Sequence, residues 1–203
     1  DAKLKSVTGL QPDALAGAVL TNAELPESLK DFKTGTDRVK EVSDSATKLS
    51  IAILAACAYS WLTTAGTRDL TLIMNNDNSK LPFIDTDMPI VAFFMAAPAV
   101  LLVAYIYLHF YLQNLWEALA RLPARFPDGR PLYQVDAWLL TALVRGHFTR
   151  LKDDYSQFAR LQNWIVIAAA WWIVPVIILG FWLRYLPRHD WWGTLWHTLL
   201  AAA

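Results

Sequence analysis

Long runs of apolar residues divide this chain, and their length predicts helices that cross a membrane. Residues 89–112 and 164–183 contain no Asp, Glu, Lys or Arg, and neither does a shorter run at residues 49–65. An α-helix rises about 1.5 Å per residue, so about twenty residues cross a hydrocarbon core of about 30 Å. A helix of a soluble protein presents one polar face, which residues 165–183 lack. The pattern therefore predicts membrane-spanning helices.

The expected fold is a mainly α-helical, polytopic membrane protein with three full spans and the start of a fourth. The predicted spans cover about residues 48–66, 88–112, 163–185 and 193–203 onward, with a loop at residues 113–162. The last segment offers ten residues from Thr194, about 15 Å of helix, which is half of what a span needs. We therefore expect the fourth span to continue beyond Ala203.

Basic residues predict the orientation of these spans. Five lie shortly before the first span, and seven lie in the loop at residues 113–162. The connection at residues 66–88 holds only Arg68 and Lys80, beside four aspartates. Because basic residues concentrate in cytoplasmic loops, we expect the N-terminus and the loop at residues 113–162 in the cytoplasm.

Composition narrows the class of protein further. Charged residues make up 18% of the chain, against about 25% in soluble domains, which agrees with lipid-facing spans. The net charge is zero, so no whole-protein argument favours nucleic acid, and no nucleic-acid partner is expected. Cys57 is the single cysteine, which excludes a disulfide within the chain.

The segment before the spans has a period of five residues. Leucine recurs at this spacing, and Ala18 and Ala23 each precede a leucine by two positions. The leucines are Leu10, Leu15, Leu20 and Leu25. This period is wrong for one face of a helix and predicts a right-handed β-solenoid with leucine inside, although a Leu/Ala helix with accidental spacing remains the alternative.

About one coil of such a solenoid is present, and repeat folds need several stacked units. We therefore expect either upstream sequence or a coil supplied by a partner chain. The domain organisation that follows is an end of a pentapeptide-repeat segment at residues 1–29, a cytoplasmic linker or helix at residues 30–47, and a helical membrane module at residues 48–203.

Several stretches taken together resemble a group of bacterial pentapeptide-repeat membrane proteins, which join a pentapeptide segment to a multi-span module. The resemblance runs from about Ala18 to Leu200 and is carried by AVLTNAELPESLKDF, YSWLTTAGTRDL, LPFIDTDMPI and WLLTALVRGHF, with FPDGRPL and RYLPRHDW most distinctive. The resemblance implies a protein-binding scaffold in the bacterial cytoplasmic (inner) membrane. It does not imply a reaction or a ligand for any particular residue of this chain.

Small residues at four-residue spacing predict faces where helices approach closely, within this chain or toward another membrane protein. These predicted packing residues are Ala52, Ala56, Ser60, Ala92 and Ala96. In the cytoplasmic loop, Arg145 and Arg150 are predicted to contact lipid phosphates or a partner. Pro98 and Pro175 lie well inside their spans, where proline kinks a helix.

The search for chemistry points away from catalysis. The chain has no Gly-rich phosphate loop, nucleophile elbow or HExxH, and no carboxylate lies deep in a span. The first interpretation is therefore a non-enzymatic membrane scaffold or accessory subunit without a cofactor. The alternative is a subunit that binds haem or chlorin in an electron-transfer or light-harvesting complex, with His109 as ligand and Trp171 and Trp172 beside it.

Overall fold

The structure is a computed structural model, and it describes residues 12–26, 32–74, 89–132 and 159–203. These ranges are mainly helical. The α-helices are α1 (Lys33–Gly66), α2 (Asp69–Met74), α3 (Ile90–Ala120), α4 (Ala159–Ile167), α5 (Ile173–Tyr185) and α6 (Trp191–Ala202). The described ranges also contain short 3₁₀ turns at Pro12–Leu15 and Leu186–Arg188.

Within the described ranges, three helical segments are long and apolar enough to cross a membrane, as the sequence predicts. They are Thr34–Gly66, Ile90–Ala120 and Trp164–Arg188. The first helix begins about fifteen residues before the predicted span. Val39 and Val42 of this otherwise polar part pack in an apolar cluster with the end of α3. Hydrophobicity marks the part of a helix that lipid can cover, and the helix itself can extend beyond it.

The third spanning segment is not a uniform α-helix. A π-helical stretch at Ala168–Trp172 joins α4 to α5, and the Ile173 N–H bonds to the Ala168 carbonyl five residues earlier. Pro175 follows within the first turn of α5, and Pro98 lies inside α3. Local π geometry is one way in which a membrane helix accommodates a proline.

The chain forms two compact units. The first combines Asp1–Lys48 with His109–Val166, so it contains the N-terminal segment, the start of α1 and the end of α3. Its main core consists of Val39, Leu115, Ala118, Leu119, Leu122, Phe126 and Leu132, and Phe32 and Val42 pack against it.

The second unit combines Leu49–Leu108 with Ile167–Ala203. Its centre is a chain of aromatic rings in which Phe93, Phe94 and Phe181 contact one another at centroid distances of 5.4 to 6.2 Å. Tyr59 extends the chain from Phe93, and Tyr185 extends it from Phe94. Three of these five ring pairs are edge-to-face, and such pairs add about 0.5–1.5 kcal/mol each beyond the area they bury.

Some sequence-based predictions lie outside the described residues. They are the first leucine of the repeat, Leu10, and the two arginines Arg145 and Arg150.

Candidate functional site

The N-terminal segment is a compact turn structure built on its leucines. Leu15, Leu20 and Leu25 are 6%, 4% and 2% exposed and contact one another as a separate apolar cluster. Ala18 and Ala23, the small residues of the five-residue pattern, pack against this cluster. The described part of the period therefore places each leucine inside.

Each five-residue block turns in the same way. The Ala18 N–H donates to the Leu15 carbonyl at 3.0 Å, and the Ala23 N–H donates to the Leu20 carbonyl at 2.8 Å. The third residue of each turn has a positive φ, 68° at Gly17 and 58° at Asn22. This combination is typical of a type II turn, which needs glycine or asparagine at that position.

The loop after α3 folds into a tight hairpin that the FPDGR motif explains. The Gly129 N–H donates to the Phe126 carbonyl and the Phe126 N–H donates to the Arg130 carbonyl, both at 2.9 Å. Pro127 presets the first turn position, and Gly129 has a φ of 84°. These are the features of a three-residue hairpin loop in which a type I turn is followed by a left-handed residue.

This loop pairs with the N-terminal segment through the backbone. The N–H groups of Gly17, Leu20 and Asn22 donate to three carbonyls of the loop at 3.0, 3.0 and 3.2 Å. The acceptors belong to Leu122, Arg125 and Pro127. In return, the Ala18 carbonyl accepts the Ala124 N–H at 2.9 Å, and Val19 forms a parallel bridge with Arg125. We call residues 122–132 the docking loop.

Phe32 connects the docking loop and the N-terminal segment to the helices. Its ring packs against both apolar clusters of this unit and meets the Phe126 ring edge-on at 5.5 Å. Gly35 in α1 permits a close approach, because a Cβ there would lie 2.8 Å from Leu122 Cδ2. Apolar contacts and backbone hydrogen bonds therefore hold the segment to the same loop.

The second unit carries a different set of polar contacts, which surround two prolines inside its helices, Pro98 and Pro175. In an α-helix the Phe94 carbonyl would accept the N–H of residue 98, but Pro98 has none. Instead His197 Nε2, from α6, lies 3.0 Å from the Phe94 carbonyl oxygen. Trp196 Nε1 donates to the next carbonyl, that of Met95, at 3.1 Å. Helix α6 therefore packs where proline frees a carbonyl of α3.

The same relation occurs at Pro175. Its missing N–H would have bonded the Trp171 carbonyl, and the Tyr105 hydroxyl of α3 donates to that carbonyl at 3.3 Å. Carbonyls freed by proline in lipid are satisfied by neighbouring side chains in this way, because no water reaches them. Two prolines thus define two hydrogen-bonded helix contacts.

The His197 ring is completely buried. Its Nδ1 lies 2.7 Å from the Gly193 carbonyl oxygen, and its face stacks on Tyr185 with centroids 4.7 Å apart. Both ring nitrogens therefore face carbonyl oxygens, which only accept hydrogen bonds. A neutral imidazole donates from one nitrogen, so the tautomer decides which of the two carbonyls receives that bond.

Two arginines stabilise the ends of α1 and α2. Arg184 donates to the Asp69 carboxylate and to the Thr67 carbonyl just beyond α1. Arg188 donates to the Leu72 carbonyl in the last turn of α2 at 2.9 Å. Cations near helix C-termini are favourable because the last carbonyls carry partial negative charge.

The predicted packing residues differ in how far they are exposed. Ser60 is 3% exposed, whereas Ala52, Ala56, Ala92 and Ala96 are exposed. The buried face of α1 next to this row carries Ile53 and Cys57 instead. The alanine rows are therefore exposed on this chain, and their use as packing faces toward another chain stays a prediction.

The predicted cofactor ligand, His109, lies half-buried on α3, and Trp171 and Trp172 lie in the π-helical stretch. Within the described ranges, no group of three His, Cys, Asp or Glu side chains is placed to hold a metal ion. Sequence reasoning did not single out His197 or Tyr105 as proline partners. The prolines were a visible signal, but the donors come from distant helices.

No family model, curated protein or solved structure matches the chain. The fold and the sites described above therefore define the class by themselves. It is a mainly helical protein with three helices that are long and apolar enough to span a membrane.

Proposed function

We propose that this protein is a non-enzymatic integral membrane scaffold or accessory subunit. Its spans anchor the end of a pentapeptide-repeat segment at the cytoplasmic face of a bacterial inner membrane, where the segment meets a partner protein. The observation that carries the proposal is the N-terminal segment, in which leucines at five-residue spacing are buried and two successive blocks share one turn geometry.

The contacts of this segment support an anchoring role. Its leucine cluster and backbone are attached to a loop that directly follows a spanning helix. A partner bound to the segment would therefore be held at the membrane. The exposed rows at Ala52 and Ala56 and at Ala92 and Ala96 offer a second surface, toward other membrane proteins, since small residues let helix backbones approach closely.

The test is purification of the complete protein from its native membrane in a mild detergent, with photo-crosslinkers placed at Ala56 and, as a control, at Val103. Both positions are exposed, but only Ala56 belongs to a small-residue row. A scaffold gives a protein crosslink at Ala56, a weaker one at Val103, and a partner that is lost when Leu20 is replaced by aspartate.

A protein that purifies alone from native membrane, with no crosslink at Ala56, would contradict the proposal. The absorption spectrum of the same sample tests the cofactor-bearing alternative. A haem or chlorin band that His109→Ala removes would favour that alternative over a scaffold.

A further inference from the structure

We propose that the docking loop is the terminal cap of the five-residue repeat, so that the coil edge it covers is closed to further coils and to a second copy of this chain. The inference rests on the proposed function, because it takes the N-terminal segment as the end of a repeat.

The register of the pairing is the first argument. Residues 17, 20 and 22 donate to residues 122, 125 and 127, so the acceptor is 105 residues further along the chain each time. The register stays constant and parallel around a turn of the segment. Hairpin partners run antiparallel, whereas successive coils of a solenoid stack in parallel register. The docking loop thus occupies the place of the next coil.

The loop takes that place without continuing the repeat. After Pro127 it reverses direction, and Pro131 forms an antiparallel bridge back to Arg125. Its proline residues, Pro123, Pro127 and Pro131, recur every fourth position. Each lacks an N–H and cannot donate to another strand, which is how proteins close an exposed edge.

The apolar contacts end at the same place. The leucine cluster of the segment and the core that contains Leu122, Phe126 and Leu132 meet at Phe32. The leucine cluster of the coil is therefore connected to the apolar core of the docking loop and the helices through Phe32. Terminal units of repeat proteins need such a cover, because an uncovered end exposes the apolar core to water or to another copy.

The first experiment tests the pairing in the complete protein, purified in mild detergent with Cys57→Ala as background. Val19→Cys combined with Arg125→Cys is expected to form a disulfide under mild oxidation, because these residues are bridge partners. Ala14→Cys with Arg125→Cys is the control, since Ala14 is also exposed but lies one block away from Val19. Equal crosslinking of both pairs, or of neither pair, would overturn the proposed register.

The second experiment tests the cap. Residues 123–131 are replaced by a Gly/Ser linker of the same length, and light scattering measures the protein mass per particle. An open edge is expected at least to double this mass, and Leu20→Asp in the same background is expected to restore the original mass by destroying the coil. An unchanged mass, or association that survives Leu20→Asp, would overturn the cap.

Both experiments use the protein alone. If no partner protein is found, the results of these two experiments do not change. If the docking loop proves not to be a cap, the crosslinks at Ala56 do not change, so the two proposals can fail separately.

Discussion

At the scale of single residues, glycine and proline determine much of what distinguishes this protein. Gly17 and Gly129 allow left-handed backbone at two turns, and Pro98 and Pro175 each free a carbonyl that a side chain from another helix satisfies. Gly193 acts through its small size, because a Cβ there would lie 2.6 Å from Met95 Cε and closer still to the Tyr185 ring. Glycine therefore acts in two ways in this protein: it allows left-handed backbone at turns, and it leaves room for a close side-chain contact in a helix.

Gly193→Ala is expected to destabilise the protein by about 1–3 kcal/mol, as overpacking of a tight contact does. The measurement is the free energy of unfolding in mild detergent. Gly180→Ala in α5 is the matched control, because a Cβ at residue 180 meets nothing within 4 Å. Alanine favours a helix interior over glycine by about 0.5–1 kcal/mol, so the control should be neutral or stabilising. Equal losses in both variants would contradict the contact.

The carboxylate of Asp190 leads to a prediction about the behaviour of the protein at low pH. The Tyr185 hydroxyl donates to its carboxylate at 2.7 Å, and this bond is the main cause that holds the pKa of Asp190 below its ordinary value. Because the pKa is lower in the folded state, ionised Asp190 stabilises the fold at pH values above its ordinary pKa of 3.8. This stabilisation is lost as the pH falls through the pKa that Asp190 has in the folded protein.

Tyr185→Phe is therefore expected to raise the pKa of Asp190, so that protonation begins at a higher pH. Infrared spectra of protein labelled at aspartate carboxyls follow the titration, and Asp190→Asn identifies the band. An Asp190 pKa that does not move in Tyr185→Phe would show that the hydrogen bond is not its cause.

At the scale of elements, hydrophobicity predicted the spans, and the five-residue period predicted which leucines are buried among those described. The sequence left residues 30–47 open as a linker or a helix, since a polar helix carries no membrane signal, and α1 begins there at Lys33. The contact between His197 and Phe94 was not predictable, because residues 103 positions apart share no local pattern. Local sequence patterns predict the helices, whereas the side chain that bonds a carbonyl freed by proline is determined by how distant helices pack.

The contact of α6 with α3 can be tested by a double-mutant cycle. His197→Phe keeps an aromatic ring beside Tyr185 but removes both nitrogens, and an unsatisfied buried carbonyl costs about 1–3 kcal/mol. Pro98→Ala restores the N–H that the Phe94 carbonyl lacks. The unfolding free energy lost through His197→Phe should therefore be smaller in the Pro98→Ala background, by about 0.5–3 kcal/mol of coupling.

Tyr105→Phe in the same background is the control for this cycle. The Tyr105 hydroxyl donates to the Trp171 carbonyl that Pro175 leaves free. The loss of unfolding free energy in Tyr105→Phe should therefore add to the effect of Pro98→Ala without coupling. Additive behaviour of His197→Phe would mean that the Phe94 carbonyl, which Pro98 leaves free, is not its partner.

At the scale of the whole molecule, the charge pattern makes a prediction about orientation that contact geometry alone does not. The distribution of basic residues predicts that the docking loop lies in the cytoplasm and the connection after α1 outside. The three spanning segments are consistent with either orientation, because length and apolar composition are the same from both sides. Orientation therefore needs a labelling experiment.

We expect Leu70→Cys to react with a membrane-impermeant thiol reagent on intact cells, and Asp128→Cys to react only after permeabilisation. Both side chains are exposed, and Cys57→Ala removes the native thiol. Labelling with the opposite preference would reverse the orientation and place the N-terminal segment outside the cytoplasm.

The position of Phe32 has a practical consequence for hybrid proteins. Its ring belongs to both apolar clusters of the first unit, so a fusion junction placed just before α1 would divide one shared core between two parents. A chimera that exchanges the N-terminal segment should keep Phe32 and residues 122–132 from the same parent. Exchanging residues before α1 alone would join surfaces that never evolved to fit.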